Sequence, residues 1–114
     1  MYSEGDIVLI RYPNTDGSQG KRRPAVLVKR VGNNFGDWIV CMVSTRLHQC
    51  IEGLEVVITA EEPDFSSTGL RADSLLRTSR LAVVSESIFE LELGKLSPQR
   101  LREVKERLAN WVVG

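Results

Sequence analysis

The chain has 114 residues, of which 42% are hydrophobic and 26% charged, the proportions of an ordinary globular protein and enough for one domain with one core. That composition excludes disorder and low complexity. No apolar run reaches the roughly 20 residues that cross a bilayer, and the first residues lack a basic segment followed by a long apolar one, so a cytoplasmic protein is expected.

The zero net charge conceals an uneven distribution. Residues 1–50 carry seven Lys/Arg against four Asp/Glu, and residues 51–114 carry eight against eleven. Between Arg11 and Arg30 stand six cations and the single acid Asp16. Such a segment predicts a local anion-binding surface. Two cysteines, Cys41 and Cys50, do not make a disulfide framework and are read as thiols.

In chain order, "DIVLIRY" (6–12) follows Gly5 and is rich in Ile and Val, which predicts a strand. "PNTDGSQGK" (13–21) is made of turn formers and predicts an exposed, mobile loop. The loop has glycines and a lysine, yet it is not a nucleotide cradle. A G-x-x-x-x-G-K-[ST] loop needs wider glycine spacing and a helix behind it, whereas Lys21 is followed by Arg22 and then by "RPAVLV", a second strand with Arg23 held extended before Pro24.

"GNNFGD" (32–37) predicts a turn with Phe35 as the most exposed aromatic, and "WIVCMVS" (38–44) is apolar throughout, as expected for a strand buried on both faces or one passing through the middle of a barrel. "GLEVVIT" (53–59) predicts a short strand, "AEEPDFSSTG" (60–69) an irregular stretch, "ADSLLRTSRLAVVS" (72–85) one long strand or a bent pair, and "IFELELGKL" (88–96) a further strand. Ser97 and Pro98 then give an N-cap and first helical position, with Leu101, Val104, Leu108 and Trp111 at helical spacing and Arg102–Glu106 and Glu103–Arg107 pairs four residues apart. Several strands and one closing helix, without βαβ alternation, predict a mainly β fold: a small barrel with an appended C-terminal α-helix.

The stretch "GDIVLIRYPNTDGSQGKRRPAVLV", a strand ending in Ser44 and Thr45, "STGLRADSLLR", and "LGKLSPQRLREVKERL" together resemble the MazF/PemK-like toxins of type II toxin–antitoxin pairs over nearly the whole chain. The resemblance implies a single SH3-like β-barrel domain that forms a homodimer. It implies an endoribonuclease that cleaves single-stranded RNA with no metal or other cofactor, held inactive by a cognate antitoxin and reaching operator DNA only through it. The family's arginine before the proline of the second strand matches Arg23, and its hydroxyl partner matches Ser44 or its neighbour Thr45, depending on strand register. Gln19, Gly20, Lys21 and Arg22 of the loop, with Arg46 and Ser74, are the expected RNA-binding residues.

The chemistry suits those residue types. A guanidinium matches phosphate oxygens bidentately, and a hydroxyl donates to a developing oxyanion. His48, the lone histidine, falls in a polar segment and matches no motif position, so it reads as a surface residue. Cys41, His48 and Cys50 lack the paired spacing of a zinc site. Trp38 and Trp111 read as core or dimer-interface residues. A second reading is a non-catalytic toxin of the same fold that poisons a protein target such as DNA gyrase, or an inactive member that keeps only antitoxin and operator binding. The basic loop running into Arg23–Pro24 is what separates them, because a ribonuclease needs it and a gyrase binder does not.

Overall fold

The computed structural model describes residues 1–11 and 20–114. The predicted loop therefore lies outside the described residues from 12 to 19, as does the end of the first predicted strand.

Six strands form one antiparallel sheet: β1 (Asp6–Arg11), β2 (Arg22–Arg30), β3 (Asp37–Ser44), β4 (Val56–Ile58), β5 (Ser74–Ser85) and β6 (Leu91–Lys95), followed by helix α1 (Pro98–Val113). The strand order is β4-β5-β3-β2-β1-β6. The sheet curls into a half-barrel, and the expected mainly β fold with one C-terminal helix is borne out.

Curling puts apolar side chains to work on both faces. Ile7, Val26, Cys41, Val43, Val56 and Leu76 pack on one side under Leu96 and Val104. Val8, Ile10, Ala25, Leu27, Trp38, Val40 and Met42 pack on the other, against Tyr2 and Phe89. β3 thus alternates between two cores, which is why its sequence is apolar without a polar phase. Each fully buried Val, Leu or Ile adds about 1.5–3 kcal/mol to such a core.

The sheet edges are β4 and β6, and the segment after β4 crosses between them. Ser67 Oγ donates to Lys95 O at 3.2 Å. Gly94 makes the approach possible: a Cβ there would stand 2.3 Å from Ser67 O and 2.6 Å from the Thr68 carbonyl carbon. The crossing is locked to α1 by Arg100, whose guanidinium donates to Asp64 Oδ2 at 3.1 Å and to Asp64 Oδ1 at 3.2 Å and also meets Glu62. Ser97 caps the helix as its sequence predicts, its Oγ accepting from Arg100 N at 3.1 Å while donating to Asp64 Oδ2 at 3.0 Å.

Three expectations need correction. The strand predicted over 53–59 is only Val56–Ile58, because Leu54 N and Glu55 N both donate to Ile51 O in a turn. The strand predicted from Ile88 begins at Leu91, since Ser85 caps a short 3-10 turn over Glu86–Ile88. The helical stripe stops at Leu108, which packs on the core; Trp111 is 59% exposed. Trp38 is fully buried and Phe35 lies in the open, as read.

Candidate active site

Proline sets the site's local geometry. Pro24 sits opposite Leu9 of β1, has no N–H to donate, and holds Arg23 in extended backbone. The β2–β3 ladder runs from Arg30↔Trp38 to Ala25↔Met42. Continued by two residues, that register sets Arg23 across from Ser44, and directly opposed residues of an antiparallel pair share a face. On its other side Ser44 is paired with Leu75 of β5.

Arg23, Ser44 and Arg46 stand on a ridge between two clefts. The first, of about 560 Å³, also has Met42, Gln49, Arg77, Arg80 and Leu81 in its walls. The second, of about 630 Å³, adds Lys21, Arg22, Pro24, Thr45, Leu70 and Arg71. Both are cation-rich, and Arg23, Arg46, Arg71 and Arg80 form no ion pair with a described acid. Ser44 Oγ accepts from Arg46 N at 3.0 Å, which fixes the turn after β3 and leaves the hydroxyl hydrogen available to a ligand. Thr45 is exposed and lines the second cleft alone.

The first cleft rests on a buried charge network. Glu55 is 1% exposed and Arg77 9% exposed. Arg77 Nε donates to Glu55 Oε2 at 3.4 Å and Arg77 Nη1 to Gln49 Oε1 at 2.7 Å. Ser79 Oγ donates to the same carboxylate oxygen at 2.5 Å, and Ile51 N donates to Glu55 Oε1 at 3.0 Å. Burial pushes the Glu55 carboxyl up, but the hydrogen bonds from Ser79, Ile51 N and Arg77, with the charge of Arg77, outweigh it and hold the group below its ordinary value. An irregularity in β5 builds this network. The ladder passes from Met42↔Arg77 to Cys41↔Leu81, so Thr78, Ser79 and Arg80 are extruded, which turns Ser79 toward Glu55 and places Arg80 at the cleft.

The loop residues are distributed differently from the sequence expectation. Gln19 lies outside the described residues. Gly20 O accepts from Arg11 Nη1 at 3.4 Å, and Lys21 is exposed on the second cleft. Arg22 reaches that cleft but pairs with Glu90 Oε1 at 2.8 Å, next to Arg11. Ser74 is 2% exposed and gives its hydroxyl to Ala72 O at 2.7 Å, so it shapes the second cleft from below. His48 is exposed on the 3-10 turn Leu47–Gln49 and lines neither cleft. Among the described residues no three His, Cys, Asp or Glu side chains converge as metal ligands. Cys41 is buried in the core, where desolvation first and the Glu55 charge second push its thiol up to about 12. Sequence reasoning missed Gln49, Glu55, Arg71, Arg77 and Arg80; the one signal available was that "LLRTSRL" breaks the alternation of a regular strand.

No helix of the described residues is long and apolar enough to cross a membrane. The profile of the family described as PemK-like, MazF-like toxin of type II toxin-antitoxin system matches residues 3–112. Curated protein sequences give no match. Among solved structures, MazE–MazF from Deinococcus radiodurans aligns with a TM-score of 0.72 at 21% identity, covering 98% of this chain and 96% of that one. The Mycobacterium tuberculosis toxin MazF-mt6 aligns at 0.70 and 17%, covering 95% and 96%. An endoribonuclease in complex with its cognate antitoxin from a mycobacterial species aligns at 0.71 and 10%, covering 99% and 96%. At such identities the likeness establishes the fold.

Proposed function

The chain belongs to the PemK-like, MazF-like toxins of type II toxin–antitoxin systems, and from that premise we propose that it is an endoribonuclease that cleaves single-stranded RNA without a metal. Support comes from two mycobacterial structures of the same fold, each of an endoribonuclease. The observation that carries the reading is the ridge where Arg23, Ser44 and Arg46 meet between two cationic clefts. A phosphodiester on that ridge would have its flanking nucleotides in the two clefts, one on each side.

Cleavage there uses the ribose 2′-OH as nucleophile. The 2′-oxygen bonds to phosphorus, the bond from phosphorus to the 5′-oxygen breaks, and the proton lost by the 2′-oxygen is balanced by one gained at the leaving 5′-oxygen. The products are a 2′,3′-cyclic phosphate and a 5′-hydroxyl. The protein's task is to stabilise the dianionic phosphorane. Arg23 does so as a rigid guanidinium fork; a guanidinium has no lone pair to accept the proton, so it serves as a charge and not as the base. Ser44 donates its hydroxyl hydrogen to a second phosphate oxygen. Lys21, Arg22 and Arg71 hold the RNA backbone in the second cleft, and Arg46 and Arg80 hold it toward the first. Single-stranded RNA suits the two clefts because its bases can be splayed apart.

As a family member it pairs with a cognate antitoxin, as the Deinococcus radiodurans MazF does with MazE; it acts as a homodimer and meets operator DNA only through that antitoxin. The test is cleavage of a long single-stranded RNA in EDTA. The wild-type chain cuts, and Arg23→Ala lowers kcat by about 10²–10³, the effect of losing one oxyanion-stabilising donor, with an unchanged melting temperature because Arg23 is exposed. RNA left intact over a wide protein concentration range refutes the enzyme reading.

A further inference from the structure

Breaking a phosphodiester needs charge at the ridge, and it does not need the side chains in the wall of the first cleft. Arg77 differs from the cations around it. Its charge is already answered at 3.4 Å by Glu55, itself only 1% exposed, so it offers hydrogen-bond donors and little net charge. A backbone phosphate is better served by the exposed Arg46 and Arg80. A neutral ligand edge is what a neutralised guanidinium fits.

The donors are fixed in direction. Nε is committed to Glu55 and Nη1 to Gln49 Oε1, and Nη2 has no partner among the described residues. Arg77 stands in the wall of the first cleft, and Nη2 is the nitrogen its two described contacts leave over for a ligand there. Gln49 is oriented by the same contact: its oxygen faces Arg77, which turns its amide nitrogen, also a donor, away from Arg77. Met42 and Leu81 supply apolar walls to the same cleft. Fixed side-chain donors between apolar walls describe a site for the edge of a flat heterocycle with carbonyl oxygens.

Resting on the ribonuclease reading above, we propose that this cleft reads a keto base, guanine or uracil, beside the scissile phosphate, with Arg77 and Gln49 donating to its carbonyl edge and Glu55 as the positioning residue behind Arg77. Guanine and uracil carry an oxygen where adenine and cytosine carry an amino group. An amino base would set donor against donor and leave buried polar groups unpaired, which is how a hydrogen-bonding site rejects a near-isostere. The ridge contacts are blind to sequence; this cleft supplies selectivity on one side of the cut.

The experiment sequences the ends produced from a random single-stranded RNA pool in EDTA. Wild-type cuts are expected to have G or U enriched about tenfold or more over A and C at one position adjoining the break, the discrimination of one good base contact. Gln49→Glu exchanges a donor for an acceptor and shifts that position toward A and C; Gln49→Ala, which only truncates, flattens it. Whichever of the two is folded by circular dichroism serves. Glu55→Gln narrows the ratio of G/U to A/C sites by releasing Arg77, whereas a merely structural defect lowers both classes in proportion. An uncut pool refutes the ribonuclease reading and this inference with it. Cutting with no keto preference beside the break, or with a preference unchanged in a folded Gln49 variant, overturns the base-reading site alone.

Discussion

Removing the Glu55 carboxylate should be the most costly single truncation near the site. In Glu55→Ala, Arg77, 9% exposed, keeps its charge and loses its acid, Ser79 Oγ loses an acceptor at 2.5 Å, and Ile51 N loses one at 3.0 Å. Breaking a buried pair by deleting one partner costs about 3–5 kcal/mol, a large share of the roughly 5–15 kcal/mol that holds a domain folded. Replacing both partners, as in Glu55→Met with Arg77→Met, removes the stranded charge and should recover most of the loss, because apolar substitutes for a buried pair are often neutral or better. Urea unfolding of the single and double variants measures the difference as a midpoint shift at constant m. The pH dependence supplies a second readout. The folded-state pKa of Glu55 lies below its ordinary value of 4.5, so the group's contribution is fully present above that value and is lost as pH falls through the lower, folded one. Acidification below about 4.5 should therefore destabilise the wild type more steeply than Glu55→Gln. A cost under about 1 kcal/mol for Glu55→Ala, or a double variant as unstable as the single, refutes the account of the network.

Two further outcomes follow from packing. Gly94→Ala drives a methyl to 2.3 Å from Ser67 O, a backbone atom that cannot swing aside; the cost should reach the upper part of the roughly 1–3 kcal/mol typical of overpacking, read as a lower urea midpoint, and an unchanged midpoint would mean that the crossing segment does not close the sheet edge. The two thiols should differ in reactivity. Cys41 is fully buried with its thiol pushed up to about 12, while Cys50 is half-buried, so an alkylating reagent at neutral pH should label Cys50 alone in the native chain and both in urea.

Features written in local sequence were legible without the structure. The strands over "DIVLIR", "AVLV" and "WIVCMVS" announce themselves by composition, the helix by Ser97, Pro98 and its apolar stripe, and Arg23 by the proline that stiffens it. Ser44 needed one further fact, the β2–β3 register that carries it opposite Arg23, which a single chain read alone does not contain. By sequence Trp111 reads as a core or dimer-interface residue; its exposure in the single chain removes the first reading and leaves the second.

The cleft wall was hidden for a different physical reason. Glu55 and Arg77 stand 22 residues apart and each, taken alone, reads as a charge on the solvent side of a strand. What meets them in the interior includes Ser79, one of the three residues that β5 extrudes between two registers. A bulge of that size carries no unique residue signature, since Thr, Ser and Arg are all acceptable in a regular strand. Its consequence is large. Without the extrusion, β5 would run on in register, Arg80 would not stand at the cleft, and Ser79 would not reach Glu55. The same irregularity that defeats the alternation rule thus separates two kinds of arginine within four residues, one exposed with no acid partner among the described residues and one buried and neutralised, and the proposed division of phosphate binding from base reading rests on that separation.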